Sequence, residues 1–265
     1  MFTFLTYAHQ LQLLEIIHSA DLANNKIKVI SGLQHLTSLR KIDLGANRIR
    51  KMDHEQFANL INLEELWLGK NKIEIIEGVS NLKNLKRLDV QSNRLTSVDN
   101  LVGLEDTLEE LYLAHNGIDN EGAMKASGIM LEFKELTTLD LSKNRLTSCK
   151  PFAHMITLNE LWVSSNAIEA YEDVEPISVL GTREGACLTE IYMEHNPIYE
   201  DFEYRKKLKE IIPSLLQIDA NIIGATGYGS IMPKRPEEIM EQMKMLQERA
   251  VQRAKDEQEG SEGNE

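Results

Sequence analysis

The chain has 265 residues, 42% of them hydrophobic, and a formal net charge of −13. The apolar fraction supplies a buried core, and the length allows one or two domains. The acidic balance argues against a nucleic-acid or anionic membrane partner and admits a protein partner with a basic or mixed surface.

The first stretch, MFTFLTYAHQLQLLEII, is apolar but has no basic n-region, and glutamines and a histidine interrupt it. It fits neither a signal peptide nor a membrane span. Cys149 and Cys187 belong to no CxxC or Cys/His cluster, so free thiols in a reducing compartment are expected. Residues 1–16 read as an N-terminal cap or a truncated repeat.

From residue 17 to 196 the pattern LxxLxLxxNxI recurs, with Ile or Leu closing each unit. A degenerate first unit has Ile17, Ala20, Leu22, Asn25 and Ile27. Clear units follow at Leu39 to Ile49, Leu63 to Ile73, Leu85 to Leu95, Leu108 to Ile118, Leu136 to Leu146, Leu158 to Ile168 and Leu188 to Ile198. The asparagine spacings are 22, 24, 22, 23, 28, 22 and 30. Eight units in register make a leucine-rich repeat. The LxL segment predicts a short strand, and successive strands predict a concave parallel sheet. Each Asn is expected to bond backbone groups that the turn leaves unpaired. The fold class is α/β: a solenoid of about eight 22-residue-type coils with convex short turns or 3₁₀ helices.

Two coils are longer, over 119–135 and 167–186, and predict a convex bulge or a full helix. Residues 197–220, PIYEDFEYRKKLKEIIPSLLQIDA, predict a C-terminal cap. A helix over 204–212 would bring Leu208, Ile211 and Ile212 to the last coil, Pro213 would stop it, and Leu215 and Ile218 would open a last strand. Residues 221–265 predict a glycine-rich spacer and an amphipathic helix with Ile239, Met243, Leu246 and Ala250 on one side. That helix is either solvated on a tether or docked.

No catalytic constellation is present. The seven histidines are scattered, no HxxxH carries a carboxylate, and no phosphate-binding glycine loop sits in a strand–loop–helix setting. A non-enzymatic chain with no cofactor, metal or small-molecule substrate is expected.

The outward strand positions carry the informative chemistry. Four residues before each Asn runs the column Asp21, Asp43, Trp67, Asp89, Tyr112, Asp140, Trp162 and Tyr192. Two residues earlier runs Ser19, Lys41, Glu65, Arg87, Glu110, Thr138, Glu160 and Glu190. Eight strands give an exposed face roughly 35 Å long. Its aromatics either stack along the sheet or anchor a partner, with the carboxylates meeting basic partner residues.

The ordered series IDLGANRIR, LWLGKNKI, VQSNRLT and ELYLAHNGID, followed by YRKKLKEIIPSLLQIDA, resembles the leucine-rich-repeat regulatory subunit 7 family of protein phosphatase-1 over roughly residues 22–220. The resemblance implies a non-catalytic subunit of nucleus and cytoplasm. Such a subunit binds the phosphatase-1 catalytic subunit on its concave face and controls its assembly or activity. The matching contact positions here are Asp43, Trp67, Asp140, Glu160, Trp162 and Tyr192. Asp43 stands for a Glu, Trp67 for a Phe, and Asp21 for an aromatic contact. The family also has upstream repeats, and the 221–265 tail has no counterpart in it. The alternative is a scaffold for another intracellular complex, spliceosomal or axonemal.

Overall fold

The computed structural model describes residues 17–182, 184, 185 and 188–223. The predicted amphipathic helix of the tail and the cap at 1–16 lie outside the described residues. The chain divides into a unit of residues 1–220 and one of 221–265.

The first unit is built on strands of two or three residues. These are β1 (Ser19–Asp21), β2 (Lys41–Asp43), β3 (Glu65–Trp67), β4 (Arg87–Asp89), β5 (Glu110–Tyr112), β6 (Thr138–Asp140), β7 (Glu160–Trp162), β8 (Glu190–Tyr192) and β9 (Gln217–Ile218). They pair in chain order, every pair parallel and in the same register. The middle residue of each strand from β2 to β8 is buried, and its two neighbours point the other way.

The repeat leucines make one continuous core. Leu39, Ile42 and Ile49 are 0% exposed, as are Leu63, Leu66 and Ile73, and the pattern continues through Leu158, Leu161 and Ile168. Each such side chain contributes about 1.5–3 kcal/mol on burial. In the degenerate first unit, Ile17, Ala20, Leu22 and Ile27 are only half-buried.

The asparagines form the predicted ladder. Asn71 donates through Nδ2 to the carbonyls of Leu44 at 3.0 Å and Leu68 at 2.9 Å, and its Oδ1 accepts from Ile49 N at 3.0 Å. Asn93, Asn116, Asn144 and Asn166 repeat the arrangement. Each one therefore ties its own coil to the one before it.

One regularity is not written in the residue types. The residue before each repeat Asn takes a left-handed backbone conformation: Asn24, Ala46, Lys70, Ser92, His115, Lys143, Ser165 and His195 have φ between 51° and 62°. Asn24, His115 and His195 are of types enriched there; Ala46, Lys70, Ser92, Lys143 and Ser165 are not. The tight turn that delivers the Asn amide to its carbonyls imposes it on the latter.

The long coils form no full helix among the described residues. The coil over 119–135 holds one short helix, α1 having preceded it at His54–Phe57 and α2 lying here at Asn120–Ala123. Gly122 and Gly128 lie so close to the previous coil that a Cβ would sit 2.0 Å from the Thr96 carbonyl oxygen and 1.7 Å from that of Val98. At both glycines the backbone packs directly on the previous coil. In the coil over 167–186, two 3₁₀ turns (Tyr171–Asp173 and Glu175–Ser178) lead into α3 (Val179–Thr182), with Pro176 starting the second turn.

The cap helix, α4, spans Tyr204–Ile211 and buries Tyr204 and Leu208, with Ile212 buried just beyond it. Ile211, expected to face the last coil, is half-buried, and Tyr204 takes the deeper place at 2% exposure. Asp219 closes the ladder. Its Oδ1 accepts from Met193 N at 2.9 Å and Glu194 N at 3.0 Å, and Arg205 stands 3.5 Å from its other oxygen.

Candidate functional site: the concave face

Strand register brings the two outward columns side by side. Trp67 lies opposite Asp89, Asp89 opposite Tyr112, Tyr112 opposite Asp140, Asp140 opposite Trp162, and Trp162 opposite Tyr192. From β2 to β7 the column alternates aspartate with aromatic. In the same strands, each aromatic follows a glutamate by two residues: Glu65, Glu110, Glu160 and Glu190.

In the first half of the face these groups satisfy one another. Trp67 Nε1 donates to Glu65 at 3.0 Å, and Lys41 pairs with the same carboxylate at 2.9 Å. The Lys41 hydrogen bond holds the Glu65 carboxyl below its ordinary range. Lys41 and Arg87 lie over the Trp67 ring at 5.1 and 5.2 Å. Arg87 also lies 5.8 Å from the Tyr112 ring and meets Glu110 at 2.5 Å, while Tyr112 donates to Glu110 at 2.6 Å. Trp67 is thus enclosed by cations of its own face.

The alternation breaks at β6. Thr138 stands where β2 and β4 carry Lys41 and Arg87, and it is buried. Neither Glu160 nor Glu190 makes an ion pair with a described residue. Burial first, then the Glu190 charge, raises the Glu160 carboxyl above its usual range. Trp162 and Tyr192 pack against each other with ring centroids 5.0 Å apart, tilted by 52°. The Trp162 indole N–H is buried without a well-formed hydrogen bond, although the Glu160 carboxylate is near enough to feel it. Gln217 donates to the Tyr192 hydroxyl from the next strand.

Asp140 departs from the sequence expectation. It was expected as an exposed charge facing a partner, but it is 7% exposed, between Tyr112 and Trp162 in register. Its Oδ1 accepts from Ser142 N at 2.9 Å, and burial raises its carboxyl above the ordinary value. Asp89 is the same, 3% exposed and bonded to Gln91 N at 2.9 Å. Large aromatics on both flanks seal these short side chains from water. Asp43, with no aromatic on its β1 side, stays half-buried and accepts from Gly45 N at 2.8 Å. The structure therefore brings Glu160, Trp162 and Tyr192 together, sets Asp140 beneath them, and leaves Asp43 and Trp67 at the other end of the sheet.

Sequence reasoning did not single out Lys41 and Arg87 as resident cations or Thr138 as the break between them. The signal was available in the column, where a basic residue alternates with glutamate until β6.

Leucine rich repeat family models match residues 37–95, 107–125 and 135–155. The chain is a leucine-rich-repeat solenoid. An internalin of Listeria monocytogenes superimposes with a TM-score of 0.61 at 22% identity, covering 78% of this chain and 54% of that one. Internalin C2 of the same species gives 0.58 at 27% identity, covering 69% of this chain and 74% of that one. An uncharacterized protein of Caenorhabditis elegans is 26% identical over 95 residues, 35% of this chain. The matched segment covers 20% of that relative's length.

Among the described residues no group of His, Cys, Asp and Glu is arranged to hold a metal ion, and no helix is long and apolar enough to cross a membrane. The buried Cys149 thiol is pushed up to about 12 by burial, which leaves it a poor nucleophile.

Proposed function

We propose that this solenoid is a non-catalytic binding subunit that engages the catalytic subunit of protein phosphatase-1 through its concave face. In that role it controls the enzyme's assembly or activity, in nucleus and cytoplasm. The family reading rests on the ordered repeats and cap quoted above. The single observation that carries the mode of binding is the unfilled cation position beside Trp162 and Tyr192.

Arg87 supplies the pattern for how that position is used. It packs its guanidinium against two aromatic rings and closes on a glutamate. At the other end of the face the rings and the carboxylates are present, and no cation of a described residue lies over them. A lysine or arginine of the partner completes the set, with Glu160 and Glu190 as counter-charges and the Trp162–Tyr192 pair as the apolar wall. Asp140 acts as a polar floor that holds the turn under Trp162. Asp43 and Trp67 contribute rim contacts, weaker because Trp67 is already covered.

The test is titration of purified phosphatase-1 catalytic subunit with wild type, Trp67→Ala, and the double variant Trp162→Ala/Tyr192→Ala. Each anchor of the double variant is expected to contribute about 2–4 kcal/mol, and Trp67→Ala is expected to cost less. Wild-type affinity in a folded double variant would sink the reading. Affinity purification with mass spectrometry then identifies whichever partner the face does hold.

A further inference from the structure

A second surface, away from the concave face, has its own chemistry. After each repeat Asn the chain runs extended, and side chains alternate outward and inward: Arg48 is exposed, Ile49 buried, Arg50 exposed. The first outward residue is tied to the previous coil by its backbone. Arg48 N donates to Ile27 O, Lys72 N to Ile49 O and Arg94 N to Ile73 O, each at 2.8 Å. These bonds stack Lys26, Arg48, Lys72 and Arg94 into one row along the rim, at strand spacing of about 4.8 Å. Arg50 and Lys70 flank the row, and all but the half-buried Lys72 are exposed.

These cations are little used in ion pairs among the described residues. Arg94 approaches Glu74 at 4.0 Å, and the other five make no ion pair with a described residue. In a chain of net charge −13, this collects positive charge on one edge of four coils, with Glu74 beside Arg94.

The size of the row selects its ligand. Four coils extend about 15 Å, and the field of surface charges decays over about 8 Å at physiological salt. A nucleic acid or a membrane surface would run past the row, which Gly117 interrupts before Arg145. An extended peptide advances about 3.3 Å per residue, so four or five residues fill the row. We infer that this rim is a docking site for a short acidic polypeptide segment, lying extended with carboxylates or phosphoserines against Lys26, Arg48, Lys72 and Arg94. The inference is independent of the concave-face reading, since none of these side chains belongs to that face.

Fluorescein-labelled hexaglutamate is the probe, with hexaglutamine and a twelve-nucleotide single-stranded DNA as comparators, titrated into the full chain. Hexaglutamate is expected to bind, to weaken as salt rises, and to bind about tenfold more weakly to Arg48→Glu/Lys72→Glu. Trp162→Ala/Tyr192→Ala is expected to leave its affinity unchanged. Both substituted rim residues are at the surface, and circular dichroism with the thermal midpoint confirms the fold. Three results would overturn the inference: no hexaglutamate binding to wild type, equal binding to the charge-reversed variant, or tighter binding of the DNA than of the peptide. Loss of hexaglutamate binding in the Trp162/Tyr192 variant would also overturn it, by moving the site to the concave face.

Discussion

Trp162 and Tyr192 meet across adjacent parallel strands with their rings 5.0 Å apart, and neither is capped by a cation of a described residue. Elsewhere on the sheet the aromatic residues have cations of the chain itself upon them. The pair is held by its own packing. Denaturant unfolding of Trp162→Ala, Tyr192→Ala and the double variant should give a coupling energy of about 0.5–1.5 kcal/mol. Additive single effects would show that the rings do not support each other.

Asn71 satisfies groups in two coils at once. Replacing it with Ala leaves the Leu44 and Leu68 carbonyls and the Ile49 amide without their partner. The expected loss is about 1–3 kcal/mol, read as a lower urea midpoint with binding to either surface intact below the transition.

Asp140 carries a charge that the fold would rather not have. Its folded-state pKa is raised by burial above the ordinary value of 3.8, so the folded chain holds its proton more tightly than the unfolded chain does. Stability from this group is greatest when it is protonated and is lost as pH rises through the folded pKa. Asp140→Asn keeps an oxygen for Ser142 N and removes the charge. Thermal melts should show the variant more stable than wild type near pH 7, with the advantage fading as pH falls toward 4. A variant equally or less stable at pH 7 would mean that the carboxylate is stabilised by a group other than Ser142.

Lys143 has φ of 54°, in the left-handed region that a side chain disfavours. Lys143→Gly relieves that cost, set against the extra freedom glycine has when unfolded. Compared with Lys143→Ala, which removes the side chain but not the strain, it should be about 0.5–1 kcal/mol more stable by chemical denaturation. The same comparison at an ordinary strand position should favour Ala.

Much of the fold is legible in the sequence because the repeat multiplies its evidence. A single LxxLxLxxN is ambiguous, but eight in register fix strand direction, inward face and ladder together. The outward columns follow from the same alignment, so Glu160, Trp162 and Tyr192 could be placed side by side from the residues alone. Burial of Asp89 and Asp140 could not be, because it depends on how far the neighbouring rings lean over them. The left-handed row was hidden for a different reason: Ala46, Lys70 and Lys143 have no preference for that conformation and adopt it under constraint. Asp219 was hidden because its role is defined by amides of the previous coil that would otherwise lack acceptors.

The asparagine ladder also sets how the molecule responds to a mechanical load. Each Asn grips its own coil and the one before it, and none reaches two coils away. Pulled from its two ends, such a chain has no all-or-none clasp. It should yield coil by coil from an end, each rupture releasing a segment of about 22 residues and lengthening the tether by about 7 nm. An extension trace of the solenoid would then be a regular sawtooth, with its longest teeth from the 28- and 30-residue asparagine intervals.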